Sequence, residues 1–526
     1  MQESSSCTCL NFENSSCACT CESEDACTCV SCSIKNIAVS DAHGNTTQES
    51  RTDGLTSLIS QYTYTADSNY LSQYTDENNI STSYVYSLAN GLKQSETLAN
   101  DSSVLYGYDA VGALTSVSQT VTNFLTDSSI AMQTQYAYEN DRIVSITHNG
   151  FSYNYDYDIY GNLSSISVSN TPLVSYSYNN DYYKSVNTIT YANGMKISYS
   201  YDAKGNITGI SYDEGDTWTF TYTYDEYGNL QSYTDTINHT VTSYDKTING
   251  VKYKEVMETI GENSTIIYSL VETNDLSCMQ SVFGQNYSVT NQTSYNAAEG
   301  TKTEVQTTSI NLFGSDGFAK TTNLEDAFGR RAEETIAFYT NTDATLEQPV
   351  KSVTVCNEYT YKNASTTRET RLIDTYISTI TLETETMGED GNLTHSSEIV
   401  KQINLKYDYD EAGRITRISQ YFNEGNFTGY FPISFYSYDE AGQLVFEANT
   451  YTNEIWSYTY DAGGNILSKS RYGSIEVDEE TFELDLSTLG PPVETISYGY
   501  DSVWKDKLTS FDGVSIAYDA LGNPLN

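Results

Sequence analysis

The sequence predicts an all-β protein, organised as a long array of β-hairpins behind a short cysteine-rich segment. Three observations predict this class. A Tyr-x-Tyr-Asp-x-x-Gly-Asn-Leu motif recurs along the chain, residues of alternating polarity lie between its copies, and only 6 prolines occur in 526 residues. Because a recurring supersecondary unit buries its apolar face only against its neighbours, the recurrence indicates an array.

The copies of the motif share an Asp after the second aromatic position and a Gly three residues later. These structural turn residues are Asp109, Gly112, Asp158, Gly161, Asp202, Gly205, Asp225, Gly228, Asp410, Gly413, Asp439, Gly442, Asp461, Gly464, Asp519 and Gly522. Weaker copies lie at Asp41, Tyr84, Tyr136 and Asp326. We interpret each Asp and Gly through turn chemistry rather than as a catalytic or ligand-binding residue.

One copy illustrates the predicted hairpin. Tyr222 and Tyr224 lie two residues apart, so they share one face of a strand. The carboxylate of Asp225 can accept backbone amides two residues on, which opens a turn. Gly228 suits the left-handed position after a type I turn, and Leu230 begins the return strand. We therefore predict a β-hairpin with a four-residue type I connection and a glycine bulge.

The hairpin array is predicted to cover residues 36–526, with residues 1–35 as the cysteine-rich segment. Short intervals between copies, as from Tyr201 to Tyr224, favour one continuous sheet. Residues 231–320 carry no clean copy, but the alternation from Thr301 to Thr307 is typical of a strand. The last copy stops within a hairpin at Asn526, which leaves an open edge. We therefore expect a fragment, truncated at its C-terminus.

Most of the 10 cysteines lie near the N-terminus, at Cys7, Cys9, Cys17, Cys19, Cys21, Cys27, Cys29 and Cys32. The polar residues between them cannot form a core, so this segment orders only through disulfides or a metal ion. The even count favours disulfides. The weak candidates for zinc ligands are Cys27, Cys29 and Cys32, although the spacing of a zinc ribbon is missing. Disulfides, metal and a reduced tail all stay open.

The formal net charge of −44 argues against nucleic acid or acidic membrane surfaces as partners. Clustered carboxylates at 155–158 and 213–216 are acidic enough to consider Ca²⁺, but both segments are better interpreted as solvated turns. The 48 Tyr are interpreted as packing between strands in preference to stacking on sugars. The sequence contains no run of 18 apolar residues that would predict a membrane span, and no signal peptide is visible.

The sequence contains no recognisable catalytic arrangement. The four histidines, His43, His148, His239 and His395, lie neither at metal-ligand spacing nor beside a candidate nucleophile. The nucleophile elbow, the phosphate-binding loop and the zinc-protease motif are all missing from the sequence. A pair of carboxylates could still meet as in a glycosidase. We nevertheless predict a protein that is not an enzyme and uses no cofactor.

These motifs resemble those of the YD-repeat (RHS) proteins, over most of residues 36–526. The resemblance implies that the hairpins wind into a long curled sheet or hollow β-shell. In relatives that act as toxins, the repeats lead into a core segment, often with a self-cleaving aspartate motif, followed by a variable toxic domain. None of those later residues is carried over to this sequence.

The resemblance implies a structural encapsulating shell, the repeat region of a bacterial polymorphic toxin that is secreted or displayed at the cell surface. Its expected partner is a C-terminal toxin or effector cargo of the same polypeptide or operon, absent from this chain. The alternative is a cell-surface adhesion or carbohydrate-binding protein, as in teneurin-like relatives, with glycans as partners. Neither interpretation involves nucleic acid or a membrane span.

Overall fold

The computed structural model describes residues 19–23, 26–29, 35–122, 128–169, 171–180, 184–214, 216–235, 239–248, 251–260, 267–273, 279–284, 287–296, 301–312, 315–340, 350–387, 393–424, 427–477, 483–518 and 524–525. Apart from one short 3₁₀ turn at Leu486–Thr488, the regular structure in these ranges is β-strand.

The strands follow one another in three groups. A separate N-terminal hairpin comprises β1 (Cys19–Ser23) and β2 (Ala26–Cys29). The first half of the main sheet comprises β3 (Lys35–Ser40), β4 (Thr46–Thr52), β5 (Ser57–Tyr64), β6 (Leu71–Thr75), β7 (Ser81–Tyr86), β8 (Lys93–Thr97), β9 (Ser103–Tyr108), β10 (Leu114–Thr122), β11 (Ser129–Glu139), β12 (Arg142–His148), β13 (Phe151–Tyr157), β14 (Leu163–Val168), β15 (Thr171–Tyr178), β16 (Val186–Tyr191), β17 (Lys196–Tyr201), β18 (Ile207–Glu214), β19 (Asp216–Tyr224) and β20 (Leu230–Thr234). The second half comprises β21 (His239–Ile248), β22 (Val251–Ile260), β23 (Ile267–Thr273), β24 (Met279–Gly284), β25 (Tyr287–Asn296), β26 (Thr301–Leu312), β27 (Ser315–Glu325), β28 (Arg331–Thr340), β29 (Val350–Ser365), β30 (Arg368–Met387), β31 (Leu393–Tyr409), β32 (Ile415–Glu424), β33 (Phe427–Tyr438), β34 (Leu444–Asn449), β35 (Glu454–Tyr460), β36 (Ile466–Tyr472), β37 (Glu476–Val477), β38 (Leu484–Asp485), β39 (Glu494–Tyr500), β40 (Leu508–Phe511) and β41 (Val514–Ser515).

One antiparallel sheet runs from β3 to β41, each strand pairing with the next along the chain except that β37 and β38 pair only with each other. The described strands within 231–320 continue this order. For example, β25, which begins at Tyr287, pairs without a bulge with β26, which begins at Thr301. The predicted fold class, an all-β array of hairpins curled into a long sheet, is confirmed.

Successive turns of the chain lie alternately on one side of the sheet and on the other, so the sheet has two edges formed by turns. We call the side with the motif turns, such as 158–162 and 225–229, the Asp-turn edge. The side with the remaining turns, such as 76–80 and 98–102, is the opposite edge. Along the chain the described turns alternate between these two edges throughout the main sheet.

The sheet winds so that late hairpins lie against early ones. The turn after β27 is the first whose described residues contact much earlier strands, and later turns continue this contact. We therefore call β3–β26 the first winding and β27–β41 the second winding. A single parallel bridge between Ser57 of β5 and Arg368 of β30 joins the two windings.

Over the described residues, the protein is a single curved layer without a central core. Its accessible surface is 32277 Å², whereas a compact globular protein of 58.5 kDa exposes about 19,000 Å². The excess follows from a sheet whose two faces both meet solvent over most of their length.

A local hydrophobic core forms where a second layer covers the sheet. Phe435, Phe446 and Ile455 are buried on β33–β35, and Phe446 is completely inaccessible. Partly buried side chains of the connection between β36 and β39, including Val477 and Leu489, pack against them. This connection therefore covers one face of the second winding.

Candidate functional site

The motif turns have one geometry, shown by 225–229. The Oδ1 atom of Asp225 accepts the backbone N–H of Tyr227 at 2.9 Å and that of Asn229 at 2.8 Å. The backbone N–H of Gly228 donates to the Asp225 carbonyl at 3.1 Å. Gly228 has φ +91°, a left-handed conformation that Gly adopts without a steric penalty. The carboxylate therefore satisfies the amides that the tight turn leaves without ladder partners.

The residue after the turn Gly completes the turn, a role that the sequence analysis did not assign. The side-chain amide of Asn229 donates to the second carboxylate oxygen of Asp225 at 2.9 Å. The same bond joins Asn45 to Asp41, Asn162 to Asp158, Asn206 to Asp202 and Asn465 to Asp461. Two turns use Arg instead: Arg330 Nε donates to Asp326 and Arg414 Nε to Asp410. The recurrent Gly-Asn and Gly-Arg pairs were the signal for this role.

In the turns at Asp158, Asp202 and Asp225, hydrogen bonds lower the pKa of the carboxyl group. The amide of Asn162 holds the pKa of Asp158 below its ordinary value, and Asn206 does the same for Asp202. Asn229 lowers the pKa of Asp225 in the same way. Because each donor stabilises the ionised form, these carboxylates are kept charged and are poorly suited to donate a proton.

At twelve described positions, the second Tyr of the motif joins its hairpin to the one before it. The Tyr178 hydroxyl, for example, donates to the Leu163 carbonyl at 2.8 Å. That carbonyl is available because β14 slips register after Leu163 and begins to pair with β15 only at Ser165. The recorded pairs are Tyr64 with Thr46, Tyr138 with Leu114, Tyr157 with Ile143, Tyr178 with Leu163, Tyr201 with Val186, Tyr224 with Ile207, Tyr361 with Arg331, Tyr409 with Ile373, Tyr438 with Ile415, Tyr460 with Leu444, Tyr500 with Ile466 and Tyr518 with Leu508.

The two faces of the sheet differ in chemistry. One face carries the tyrosines, and directly opposed rings such as Tyr359 and Tyr376 pack with centroids 5.3 Å apart. The other face carries small hydroxyl residues that bond across strands, as Thr459 does with Ser468 at 2.6 Å. In the recorded pairs, the tyrosine rings therefore pack against each other across neighbouring strands.

The seam between the windings is made by the Asp-turn edge of the second winding and the opposite edge of the first. Arg368 begins β30 and its guanidinium donates to the carbonyls of Ile59 and Asp76 at 2.8 and 3.0 Å. The neighbouring Thr367 carbonyl accepts the N–H of Ser57 at 3.0 Å. These bonds fix the register of one winding on the next.

A second seam contact centres on Glu440, in the turn after β33. Its Oε2 atom accepts the backbone N–H of Thr122 at 2.7 Å, and its carbonyl accepts the amide of Gln119 at 2.8 Å. Burial, the largest single influence, would raise the pKa of Glu440, but the hydrogen bonds from the backbone and side chain of Thr122 and from its own backbone amide together lower the pKa. The carboxylate therefore binds the early strand in its charged form.

The seam continues at the turn between β39 and β40. Asp506 lies 3.0 Å from His148 Nε2 and accepts the Tyr153 hydroxyl at 3.0 Å. Trp504 Nε1 donates to that hydroxyl at 2.8 Å, and Lys505 Nζ donates to the Asn149 carbonyl at 2.7 Å. One of the four histidines thus lies at the seam, in a position that its sequence context did not indicate.

The predicted turn residues divide into two groups in the structure. Those of the first winding (Asp109, Gly112, Asp158, Gly161, Asp202, Gly205, Asp225 and Gly228) lie on a free edge, and those of the second (Asp410, Gly413, Asp439, Gly442, Asp461 and Gly464) lie at or near the seam. At Gly413 an added Cβ would lie 2.5 Å from Ile80 Cδ1. Asp519 and Gly522 lie outside the described residues.

The candidate metal positions receive no site from the structure. Cys32 and the side chains of Cys27 and Cys29 lie outside the described residues, and the half-buried Cys356 thiol accepts the Thr335 hydroxyl at 3.7 Å. Asp156 accepts the Ser165 hydroxyl at 2.7 Å while Asp158 serves its own turn. Within the described ranges no three His, Cys, Asp or Glu residues are placed to hold a metal ion. None of the described helical segments is long and apolar enough to cross a membrane.

Solved structures share this fold across almost the whole chain. Chains in the crystal structures of TcdB2-TccC3-TEV and TcdB2-TccC3-Cdc42 match 90% and 93% of this chain, with TM-scores of 0.57 and 0.55 and identities of 12% and 11%. A chain in the Photorhabdus luminescens Tc holotoxin pore carrying TccC3-D651A matches 93%, with a TM-score of 0.54 and 11% identity.

The likeness is one of fold, over part of larger proteins. The matched region spans 24% to 28% of those chains. No family model matches the sequence, and no curated protein matches it.

Proposed function

We propose that this chain is the repeat portion of a YD-repeat (RHS) protein and serves as the wall of a shell around a toxin or effector cargo. The observation that supports the proposal is the winding of a single-layer sheet so that late hairpins contact early ones. Its accessible surface of 32277 Å² far exceeds that of a compact protein, and bonds from Arg368, Glu440 and Asp506 close the contact between windings. A wall of this kind would separate a polypeptide from solvent and proteases.

The fold comparison supports the same role. One structure of similar fold belongs to a toxin, the Photorhabdus luminescens Tc holotoxin pore. By analogy of fold, we infer that the present wall encloses a toxin or effector of the same polypeptide or operon, and that the protein is exported or displayed at the cell surface.

The role is structural rather than catalytic. The recurrent carboxylates accept amides of their own turns, and the second tyrosines donate to neighbouring carbonyls. Both groups therefore serve the wall. The tyrosines of the sheet are engaged in packing and hydrogen bonding, which disfavours the adhesion and glycan-binding alternative.

Protease protection tests the shell function. The complete reading frame that contains this chain is expressed and digested with a broad-specificity protease, and the surviving peptides are mapped by mass spectrometry. Arg371 also lies at the seam, where its Nε donates to the Glu77 carboxylate. We expect polypeptide outside the array to survive in the intact protein and to be digested when Arg368→Ala and Arg371→Ala open the seam. The proposal is wrong if those segments are cleaved as quickly in the intact protein as when they are expressed alone.

A further inference from the structure

A cavity at the seam has charged side chains from both windings in its wall. It measures about 350 Å³, opens to solvent, and lies where β3–β5 meet the start of β30. Its charged lining comprises Glu49 and Arg51 of β4, Glu77 of the turn after β6 and Arg371 of β30. The winding of the sheet therefore brings together two guanidinium groups that lie far apart in the sequence.

The guanidinium of Arg51 is the feature of this cavity that points to a ligand. Among the described residues, the structure records neither an ion pair nor a hydrogen bond for this group, and its Nε atom is closed off from solvent. A Cβ added at Gly329 would lie 3.3 Å from Arg51 Nη1, so the group also lies against a turn of the second winding. A half-buried charge without a counter-ion is costly, and a bound anion removes that cost.

The pKa of Arg51 reflects the same lack of a counter-ion. Burial lowers the pKa, the positive charge of Arg371 lowers it further, and the carboxylates of Asp326, Glu77 and Glu325 offset part of the shift. Each of these carboxylates already has another cation as its partner: Arg330 for Asp326, Arg371 for Glu77 and Lys302 for Glu325. The nearby carboxylates therefore neutralise other groups and leave Arg51 available to a ligand.

We propose that this cavity binds a carboxylate group, held between the guanidiniums of Arg51 and Arg371. A planar guanidinium presents paired N–H donors that match the two oxygens of a carboxylate. Arg371 uses its Nε atom for Glu77, which leaves its terminal nitrogens for the ligand. The other carboxylate of the wall, Glu49, accepts the Tyr62 hydroxyl at 2.9 Å. A singly charged ligand is favoured over a phosphate, because Glu49 and Glu77 repel a second negative charge.

A carboxylate bound in this cavity joins the two windings, because Arg51 belongs to the first winding and Arg371 to the second. A ligand that binds only the closed seam stabilises it increasingly as the ligand concentration rises. The seam is therefore expected to tighten in response to carboxylates. The inference concerns a site at the seam and does not depend on the proposed shell function.

Urea unfolding of the whole chain in sodium acetate and in sodium chloride tests the site. The two salts are compared at equal ionic strength, because a chain with a formal charge of −44 is stabilised by the screening of any salt. We expect acetate to raise the free energy of unfolding above its value in chloride. Acetate should also slow hydrogen exchange at Ser57, whose amide donates to the Thr367 carbonyl across the seam.

Two variants of Arg51 and one control assign the effect to the cavity. Arg51→Gln removes the charge, whereas Arg51→Lys keeps the charge but loses the paired donors. Acetate should bind Arg51→Gln at least about tenfold more weakly than the unaltered chain, and Arg51→Lys should also bind it more weakly. Arg331→Gln is the matched control and should respond like the unaltered chain, because Arg331 is 48% exposed and already pairs with Glu334. Circular dichroism establishes that the variants fold, and either Arg51 variant suffices for the test.

N-acetyl-triglycine and its C-terminal amide distinguish the sources of the carboxylate. Stabilisation by the free acid at lower concentrations than acetate indicates the C-terminus of a polypeptide, and equal action of the two indicates a small carboxylate. The amide should have no effect. The proposal is overturned if neither acetate nor the tripeptide acid stabilises the chain beyond chloride, if sulfate alone does so, or if Arg51→Gln responds as the unaltered chain does.

Discussion

At the scale of single residues, the turn Asp occupies two electrostatic environments within one motif. Asp225 lies on the free edge, where Asn229 and turn amides lower its pKa. Asp439 is buried at the seam with 6% exposure, and burial raises its pKa even though Gln443 donates a backbone amide. The residue at the end of that turn is Gln443, whose side-chain amide donates to the Gly464 carbonyl instead.

This difference predicts opposite effects of Asn substitution. A carboxyl whose pKa is lowered by folding stabilises the protein above its unfolded pKa of about 3.9 and loses this as the pH falls. A carboxyl whose pKa is raised by folding stabilises the protein at low pH, and this stabilisation is lost as the pH rises. As the pH rises from about 3 to about 7, ionisation of Asp225 stabilises the unaltered chain, and the Asp225→Asn variant lacks this gain. The stability of Asp225→Asn relative to the unaltered chain should therefore fall over this range. Asp439→Asn should gain stability over the same range.

Urea unfolding at several pH values measures both effects. The informative quantity is the slope of the stability difference against pH, because loss of a hydrogen bond alone shifts the curve without changing its slope. Equal slopes for the two variants would contradict the assignment of opposite pKa shifts.

The second Tyr of the motif allows a direct measurement of the bond between hairpins. Tyr224→Phe keeps the ring but leaves the Ile207 carbonyl, now bonded at 2.8 Å, without this donor. The free energy of unfolding should fall by about 0.5–1.5 kcal/mol. Tyr222→Phe is the control on the same strand, because the structure records no hydrogen bond from the Tyr222 hydroxyl to a carbonyl. Equal losses would mean that ring packing, and not the hydroxyl, joins the hairpins.

At the scale of elements, the seam determines whether the windings behave as one unit. An array of hairpins needs only contacts between neighbours, so distant repeats could unfold independently. The bonds from Arg368 to Ile59 and Asp76 join elements from opposite parts of the chain. The seam is therefore expected to couple the unfolding of β5–β6 to that of β29–β30.

Arg368→Ala tests this coupling. Loss of charge-assisted bonds to two carbonyls should cost about 2–4 kcal/mol and should separate the unfolding of the two windings. Hydrogen exchange at Ser57, whose amide bonds to Thr367, should become faster. Arg331→Ala is the control, since Arg331 is 48% exposed and its ion pair with Glu334 should contribute only about 0–1 kcal/mol. Unchanged exchange at Ser57 would contradict a coupling role for the seam.

At the scale of the whole molecule, the sequence predicts the repeating unit far better than its winding. The hairpin that contains Tyr222, Tyr224 and Asp225 is formed by residues a few positions apart, so their local spacing is enough to predict it. The contact of Glu440 with Thr122 depends on the accumulated curvature of more than twenty strands, which no local pattern records. The turn of Glu440 therefore looks in sequence like any other copy of the motif. The Asn and Arg that complete the turns are visible in the sequence, because each directly follows the turn Gly.

The abundance of tyrosine predicts a cooperative loss of the fold in alkali. Burial, together with the Glu49 carboxylate, raises the pKa of Tyr62 to about 12. Burial beside Tyr407 likewise raises that of Tyr409 to about 12. Tyr458 is shifted in the same direction by burial and Glu447. Groups whose pKa is raised by folding stabilise the protein fully below the unfolded pKa, about 10 for tyrosine, and this stability is lost as the pH rises through the folded value.

We therefore expect the sheet to unfold between about pH 10 and about pH 12, because an ionised hydroxyl can no longer donate to its acceptor, which is the Glu49 carboxylate for Tyr62 and the Ile373 carbonyl for Tyr409. Tyrosinate absorbance and the circular dichroism of the sheet should change together over this range. Tyr62→Phe, which removes one such ionisation, should shift the transition to higher pH. Ionisation of the tyrosines near pH 10 with the dichroism of the sheet intact would show that their hydroxyls do not hold the hairpins together.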